Sequence, residues 1–151
     1  AAVVDQQLLE GIEVGEGELN AAYAGALGVP VILASGDAVF ATQFSATVKA
    51  ATVATKPAIT AQSAMLRHPQ DVRRDLSAAV TRALSELGSA RPWVLAAPIR
   101  VRLRLSDTTI PQLLTAIPGV TQVDGYTVAF TAEDMTRAYK LIRLMYRYVA
   151  I

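Results

Sequence analysis

The chain has 151 residues, of which 52% are hydrophobic and 18% charged, so it is one domain or part of one. This composition predicts a compact folded protein and excludes a disordered tail. The net charge of +1 gives no support for nucleic acid or an anionic membrane as a partner. With no cysteine and one histidine, the chain has no disulfide or thiolate chemistry and is by itself a poor zinc protein.

The sequence carries no recognisable targeting or membrane segment. Its apolar runs are too short to span a bilayer, and no signal peptide is evident at the start. A chain without cysteine suits either a reducing or an oxidising compartment; we expect a cytoplasmic protein. The first residue is Ala1 and no helix-start signal follows it, which indicates a chain entered partway along.

Residues 1–90 are predicted to be the remainder of an α/β domain with a parallel sheet. Weak alternation over residues 3–14 indicates one or two short strands. Helical spacing of apolar residues predicts a helix over 16–27 that ends at Gly28. The continuous apolar run over 29–34 is typical of a parallel strand covered on both faces.

Asp37 follows that strand at its carboxyl end, where ligands bind in such sheets, although aspartate also commonly caps a turn. The next segment, residues 38–66, has few turn signals. Within it, "FSATVKA" suits a short strand with Lys49 at its end, and "ITAQSAML" suits either a strand or a helix. Lys49 is by default a surface lysine.

His68-Pro69 begins a long helix whose apolar stripe continues to Leu87. His68 is interpreted as a helix cap, because no other residue at metal-ligand spacing accompanies it. Then "IRVRLRL", residues 99–105, alternates perfectly and predicts a strand with one wet face. Its three arginines indicate a solvated face or a subunit contact, since isolated basic patches are weak indicators of nucleic-acid binding.

The remaining elements predict a second subdomain over residues 91–151. A short helix over 107–117 precedes a hairpin with an Asp124-Gly125 turn, and a capped amphipathic helix begins after Thr131. Their order is β-α-β-β-α, which is similar to a split βαβ layer. The fold class is therefore α/β, a parallel-sheet βα portion followed by this layer.

The segment "VGEGELNAAYAGALGVPVILASGD", residues 14–37, places Glu16 between two glycines. Glu16 and Glu18 at a helix start interact favourably with the helix dipole, and that reading needs no ligand. Flanking glycines, however, let the backbone approach a ligand closely or take a left-handed turn. A carboxylate presented in this way can reach a metal ion, but it cannot bind one alone.

That segment closely resembles the second half of the DppA-type D-aminopeptidases, peptidase family M55. The resemblance continues more loosely through "ATVK", "VRLRL" and "GVTQVDGYTVAFTAEDMTRAYKLI". It implies an enzyme with two zinc ions that removes N-terminal D-amino acids from short peptides, by attack of metal-activated water on the peptide carbonyl. It also implies self-association into closed rings.

The resemblance makes Glu16 a zinc ligand, because it matches the glutamate of the family's Val-Gly-Glu motif. Asn20 in the same motif and Asp37 are the candidate substrate-binding residues, and no catalytic residue is assigned. The family's other ligands lie in an N-terminal half that has no counterpart in this sequence, and His68 lies outside any ligand motif.

Two functions therefore compete. The chain is either part of a zinc aminopeptidase, inactive without the N-terminal half, or a shortened metal-free relative that serves as a self-assembling scaffold. A mean hydropathy of +0.34 is high for a free soluble domain and favours the first, since it indicates faces covered by other protein.

Overall fold

A computed structural model describes residues 4–60 and 62–149, with side chains described over 6–60 and 62–146. The chain forms two compact units. The antiparallel unit comprises Ala1–Ala26 and Val94–Ile151, and the parallel unit comprises Leu27–Trp93. In chain order the elements are β1 (Val4–Leu9), β2 (Ile12–Glu13), α1 (Glu16–Ala26), β3 (Leu33–Asp37), α2 (Ala38–Val48), β4 (Ala51–Lys56), α3 (Pro69–Ser85), a 3-10 turn (Leu87–Ser89), β5 (Ile99–Leu105), α4 (Thr109–Leu114), β6 (Thr121–Gln122), β7 (Thr127–Ala132) and α5 (Met135–Val149).

The antiparallel unit is built on a five-stranded sheet in the order β2-β1-β5-β7-β6. The alternation of β5 is confirmed, with its aliphatic residues buried and its arginines exposed. Helix α5 packs on β5 and β7, and α1 packs on α5. Because α5 has an apolar stripe at helical spacing, Ile142 and Met145 are completely covered by this packing.

The predicted β-α-β-β-α order over residues 91–151 is confirmed by β5, α4, β6, β7 and α5. The short strands indicated over residues 3–14 are present as β1 and β2, but the local pattern did not indicate which strand they pair with. β1 pairs antiparallel with β5, with Leu9 opposite Val101. Residues 4–26, assigned to the first domain from the sequence, therefore pack with the C-terminal elements. Such pairing depends on residues far apart in the chain, which a local pattern does not encode.

The parallel unit is built on the two-stranded sheet β3-β4, whose strands run parallel, with Leu33 opposite Ala51. Helices α2 and α3 both pack on these strands. The predicted strand over 29–34 begins four positions later than expected and extends to Asp37.

The prediction for residues 44–50 was wrong. "FSATVKA" is not a strand: its first five residues end helix α2, and Lys49 follows as the C-cap with a left-handed φ of 63°. The reason is that Asp37 caps a segment whose Ala41 and Phe44 are buried at helical spacing, and this packing overrides the β-propensity of its threonines and valines.

"ITAQSAML" forms neither a helix nor a strand in the described residues; an isolated bridge joins Ala58 and Ala64.

The parallel unit has a small apolar core. Helix α3 begins after His68 as predicted, but of its apolar stripe only Ala83 is buried. Among the described residues of Leu27–Trp93, the buried apolar residues are Ala41, Phe44, Val53 and Ala83. Within residues 4–60 and 62–149, no helix combines the length and the apolar character that crossing a membrane requires.

Candidate functional site

Glu16 is the first residue of α1, and two hydrogen bonds fix the backbone before it. The Leu19 amide donates to the Gly15 carbonyl at 3.0 Å, and the Glu18 carboxyl oxygen Oε2 accepts from the Gly15 amide at 2.9 Å. A glutamate at the third helical position that reaches back to the amide before the helix is half of a capping box. Glu18 therefore holds the turn from which the side chain of Glu16 projects.

The two glycines beside Glu16 do not adopt a left-handed conformation. Among the described residues, the glycines with positive φ are Gly11, Gly28 and Gly119. Of the two alternatives given for these glycines, the left-handed turn is therefore wrong, because the segment starts a regular helix. Close approach of the backbone to a ligand stays a prediction. Glu16 itself is exposed at the helix N-terminus, where the dipole stabilises negative charge.

Tyr146 on α5 lies within electrostatic range of Glu16. Burial raises the pKa of the Tyr146 hydroxyl above its ordinary value of 10.0, and the Glu16 carboxylate raises it further. That hydroxyl donates to Oε1 of Gln7, a buried β1 residue, at 2.6 Å. The Gln7 carbonyl in turn accepts from the Val14 amide at 3.0 Å. These contacts tie the segment before α1 to β1 and α5.

Two buried polar atoms at this junction have no hydrogen-bond partner within the described part of the chain. They are Nε2 of Gln7 and Oε1 of Glu18, whose residue is 1% exposed. Buried polar atoms are nearly always hydrogen-bonded in native proteins, so each one calls for a physical explanation. Nε2 of Gln7 is a donor and Oε1 of Glu18 is an acceptor. The region where β1, α1 and α5 meet therefore contains buried polar atoms in addition to the exposed carboxylate of Glu16.

Asn20 lies one turn after Glu16, so the two side chains share a face of α1. Its Oδ1 accepts from the Tyr139 hydroxyl at 2.9 Å. The Tyr139 ring stacks on that of Tyr23, with centroids 4.2 Å apart. Asn20 thus joins α1 to α5, and its role in substrate binding stays a prediction.

Asp37 is the N-cap of α2. Its Oδ1 accepts from the amides of Val39 and Phe40, each at 2.9 Å. The residue before it is Gly36, and a Cβ at this position would collide with the Phe40 ring and force that ring to shift. The capping role of Asp37 is therefore established by geometry, whereas its role toward substrate stays a prediction. Asp37 belongs to the parallel unit and Glu16 to the antiparallel unit.

His68 caps α3 as the sequence indicated, since its Nδ1 accepts from the Gln70 amide at 3.3 Å. The preceding residue, Arg67, pairs with Asp75 on α3 and lowers the pKa of that carboxyl below its ordinary value. Both residues thus stabilise the start of α3. Neither contributes to a cluster of metal-ligand types.

The parallel unit also contains a cleft of about 720 Å³. Its lining includes the opposed charges of Lys49, Arg82 and Asp75 together with Trp93. The cleft adjoins Val31 and Ile32, which precede β3, so it lies at the amino ends of the strands. Ligands of parallel sheets bind at the opposite ends, and we therefore assign this cleft no catalytic role.

The described residues do not complete a metal site among themselves. Throughout residues 4–60 and 62–149 there is no group of three or more His, Cys, Asp or Glu that could hold a metal ion. Glu16 is one exposed carboxylate, and a zinc site needs three or four ligands. Any zinc bound at Glu16 would need donors from outside the described residues.

Sequence reasoning missed the role of Glu18. The signal was present as Gly-x-x-Glu before an apolar helical stripe, a capping-box pattern with glycine in place of serine. Glu18 was instead interpreted together with Glu16 as a charge that interacts with the helix dipole.

The chain combines a mixed α/β fold with a carboxylate at a rigid helix start after Val-Gly. The profile of the peptidase M55 family, described as D-aminopeptidase, matches residues 1–144. The chain therefore belongs to the M55 D-aminopeptidase family, as its resemblance predicted.

A solved structure agrees with this family membership. The chain superposes on the Zn-dependent D-aminopeptidase DppA from Bacillus subtilis, a self-compartmentalizing protease, with a TM-score of 0.90 and 25% sequence identity. The match covers 98% of this chain and 55% of that protein, so the chain spans little more than half of DppA. The predicted α/β fold class is thereby confirmed. No curated protein sequence matches the chain.

Proposed function

We propose that this chain is part of a zinc-dependent aminopeptidase that removes N-terminal D-amino acids from short peptides. The observation that carries the proposal is the family match over residues 1–144, nearly the full chain. The similarity to DppA, which is Zn-dependent, supports the proposal with an independent comparison of folds. Because the chain spans 55% of DppA, the activity belongs to a larger protein of which this chain supplies one part.

Within this proposal Glu16 is the zinc ligand that the chain contributes. Its support is the match to the family's Val-Gly-Glu motif, together with its exposure and the rigid helix start that carries it. Two zinc ions are expected in the complete enzyme, and their other ligands come from outside the described residues. Asn20 and Asp37 are proposed to contact the peptide substrate.

The proposal also includes self-association into a ring-like homo-oligomer and a cytoplasmic location. Support for assembly comes from DppA, which is described as self-compartmentalizing. Sedimentation of the purified protein tests assembly, and cell fractionation tests location. If the protein sediments as a monomer at micromolar concentration, the proposed self-association into a ring is wrong.

The first experiment measures the intact mass, the zinc content and the hydrolysis of D- and L-alanyl-p-nitroanilide by the natural protein. The proposal predicts a mass well above 16.0 kDa, or a co-purifying second chain, with bound zinc and faster release from the D-substrate. A mass near 16.0 kDa with no zinc and no hydrolysis would instead identify a metal-free scaffold protein.

The second experiment tests Glu16 directly by replacing it with Gln, which keeps its size and removes its charge. We expect Glu16→Gln to lose zinc and activity while the fold and assembly persist, because its carboxylate is exposed and supports no other described residue through a hydrogen bond. Glu133→Gln is the matched control, since Glu133 is also exposed but lies just before α5. Equal zinc content in both variants would contradict the assignment.

A further inference from the structure

Helices α1 and α5, which pack on each other, each carry a row of side chains along one face. Residues spaced i, i+4 and i+7 share a face of a helix, because about 3.6 residues complete a turn. The two rows are Glu16, Asn20 and Tyr23 on α1, and Tyr139, Arg143 and Tyr146 on α5. Together these two rows are called the α1–α5 face.

Contacts between the two rows show that the helices run in opposite directions. The Tyr139 hydroxyl donates to Asn20, which lies one turn after Glu16. Tyr146, two turns after Tyr139, lies within electrostatic range of Glu16. Arg143 lies between these two tyrosines on α5, so its backbone is about level with Asn20. Arg143 therefore lies roughly one helical turn, or about 5.4 Å, along the face from Glu16.

The hydrogen bond from Tyr139 determines which part of the Asn20 amide is free. Oδ1 of Asn20 accepts from the Tyr139 hydroxyl at 2.9 Å, and the Tyr139 ring is itself stacked on Tyr23. Nδ2 of this exposed side chain makes no hydrogen bond with a described residue. The Nδ2 group of an asparagine is a donor, so it can donate to a peptide carbonyl.

Arg143 is an exposed cation without a partner among the described residues. Arg67 and Arg100 pair with carboxylates of the chain, whereas no ion pair or hydrogen bond joins Arg143 to a described residue. The planar guanidinium of an arginine binds a carboxylate through two parallel hydrogen bonds. Arg143 can therefore bind a carboxylate that lies on the α1–α5 face.

We propose that Arg143 binds the C-terminal carboxylate of the peptide substrate, while Nδ2 of Asn20 donates to a peptide carbonyl. This inference rests on the proposed function, which places the scissile bond beside Glu16. An extended peptide advances about 3.4 Å per residue, so one helical turn corresponds to one or two residues after the scissile bond. The substrate class is therefore dipeptides and tripeptides with a free C-terminal carboxylate.

The test compares D-alanyl-D-alanine with its C-terminal amide, using the natural full-length protein. We expect the wild type to favour the free acid in kcat/KM by about 10- to 100-fold, the usual effect of a hydrogen bond to a charged group. The difference should lie mainly in KM, because the carboxylate is remote from the bond that is broken. Equal values of kcat/KM for the two peptides would overturn the proposal.

Variants of two arginines assign this preference to a residue. Arg143→Gln should remove most of it, whereas Arg143→Lys should retain a part, because lysine keeps the charge without the two-pronged geometry. Arg137→Gln is the matched control, since Arg137 is also exposed on α5 but lies outside the row, and it should keep the full preference. A preference that persists in Arg143→Gln, or that is lost equally in Arg137→Gln, would contradict the role of Arg143.

D-alanyl-p-nitroanilide separates this inference from the proposed function, because it has no C-terminal carboxylate. If the wild type hydrolyses it but does not distinguish the two peptides, the role of Arg143 is refuted and the proposed function stands. If none of the three substrates is hydrolysed, the proposed function is refuted and this inference with it.

Discussion

The two units differ in how completely their own residues form a core. In the antiparallel unit, the central strand β5 buries Val101, Leu103 and Leu105, and helix α5 covers β5 and β7. In the parallel unit, α2 and α3 pack on a two-stranded sheet, yet Phe44 and Val53 are the only large apolar side chains buried among its described residues. Burial of apolar surface is the dominant favourable contribution to folding, so we expect the antiparallel unit to gain more stability from its own core than the parallel unit does.

The two units also differ in how well the apolar pattern of the sequence predicts which residues are buried. In the antiparallel unit, β5 alternates strictly and its aliphatic residues are buried as the alternation predicts. The parallel unit has an apolar strand run and an apolar helix stripe in which Ala83 alone is buried among the described residues. In the second case burial within the described residues does not account for the apolar pattern.

The largest expected effect compares Leu103 with Leu84. Leu103→Ala removes a side chain that is 0% exposed and should lower the free energy of unfolding by about 2–5 kcal/mol. Leu84 on α3 is 56% exposed, and Leu84→Ala should change it by less than about 0.5 kcal/mol in the isolated chain. Urea unfolding followed by far-ultraviolet circular dichroism checks both values. Equal losses would contradict the difference between the two cores.

A second prediction concerns the helix start beside Glu16. Glu18→Ala removes the acceptor of the Gly15 amide and should destabilise the antiparallel unit by about 1 kcal/mol, a usual effect of losing a cap. Glu18→Gln retains an acceptor oxygen and should keep most of this stability. Amide exchange at Gly15 checks the prediction, because its hydrogen bond is lost in the alanine variant only. Similar exchange in both variants would exclude the capping role.

Much of the antiparallel unit could be predicted because its signals are local. Alternation in β5, the Asp-Gly turn and the cap before α5 each depend on a few adjacent residues. The pairing of β1 with β5 could not be predicted, because the partners Leu9 and Val101 are brought together only by the folded sheet. Helix α2 was missed because its threonines and valines favour strands. In addition, Asp37 was assigned to the end of the preceding strand and not to the start of a helix.

The site follows the same division. Glu16 was recognised from its motif and Asp37 from its position after a strand, and the structure places both at helix starts. Whether Glu16 binds zinc depends on donors outside the described residues, so no property of its own helix can decide it. The capping role of Glu18 could have been predicted from the sequence, because Glu18 lies three residues after Gly15, the spacing of a capping box.

A third prediction, in the parallel unit, separates the two roles of Asp37. Asp37→Ala removes both hydrogen bonds to the first turn of α2 and should destabilise this unit by about 1 kcal/mol. Asp37→Asn retains a capping oxygen and should leave stability nearly unchanged. Fluorescence of Trp93, the single tryptophan, follows unfolding of this unit. If Asp37→Asn is stable but raises KM for the peptide, Asp37 also contacts substrate.

The smallest expected effect compares two surface ion pairs at acidic pH. In the antiparallel unit the backbone amide of Arg100 is the main cause of the lowered pKa of Glu10, and the Arg100 side chain adds to it. In the parallel unit the Arg67 side chain is the main cause of the lowered pKa of Asp75. Arg100→Gln should therefore raise the pKa of Glu10 only partly, whereas Arg67→Gln should return the pKa of Asp75 closer to its ordinary value.

Both carboxyls contribute stability that is present above their ordinary pKa values of 4.5 and 3.8 and is lost as the pH falls through the lower folded values. Stability of the wild type should thus decline at pH below about 4, and the decline assigned to Asp75 should largely disappear in Arg67→Gln. Carbon-13 titration of the two carboxyl groups checks each pKa separately. An equal response to both substitutions would show that the Arg100 backbone amide does not hold Glu10 and that side-chain pairing alone governs the two sites.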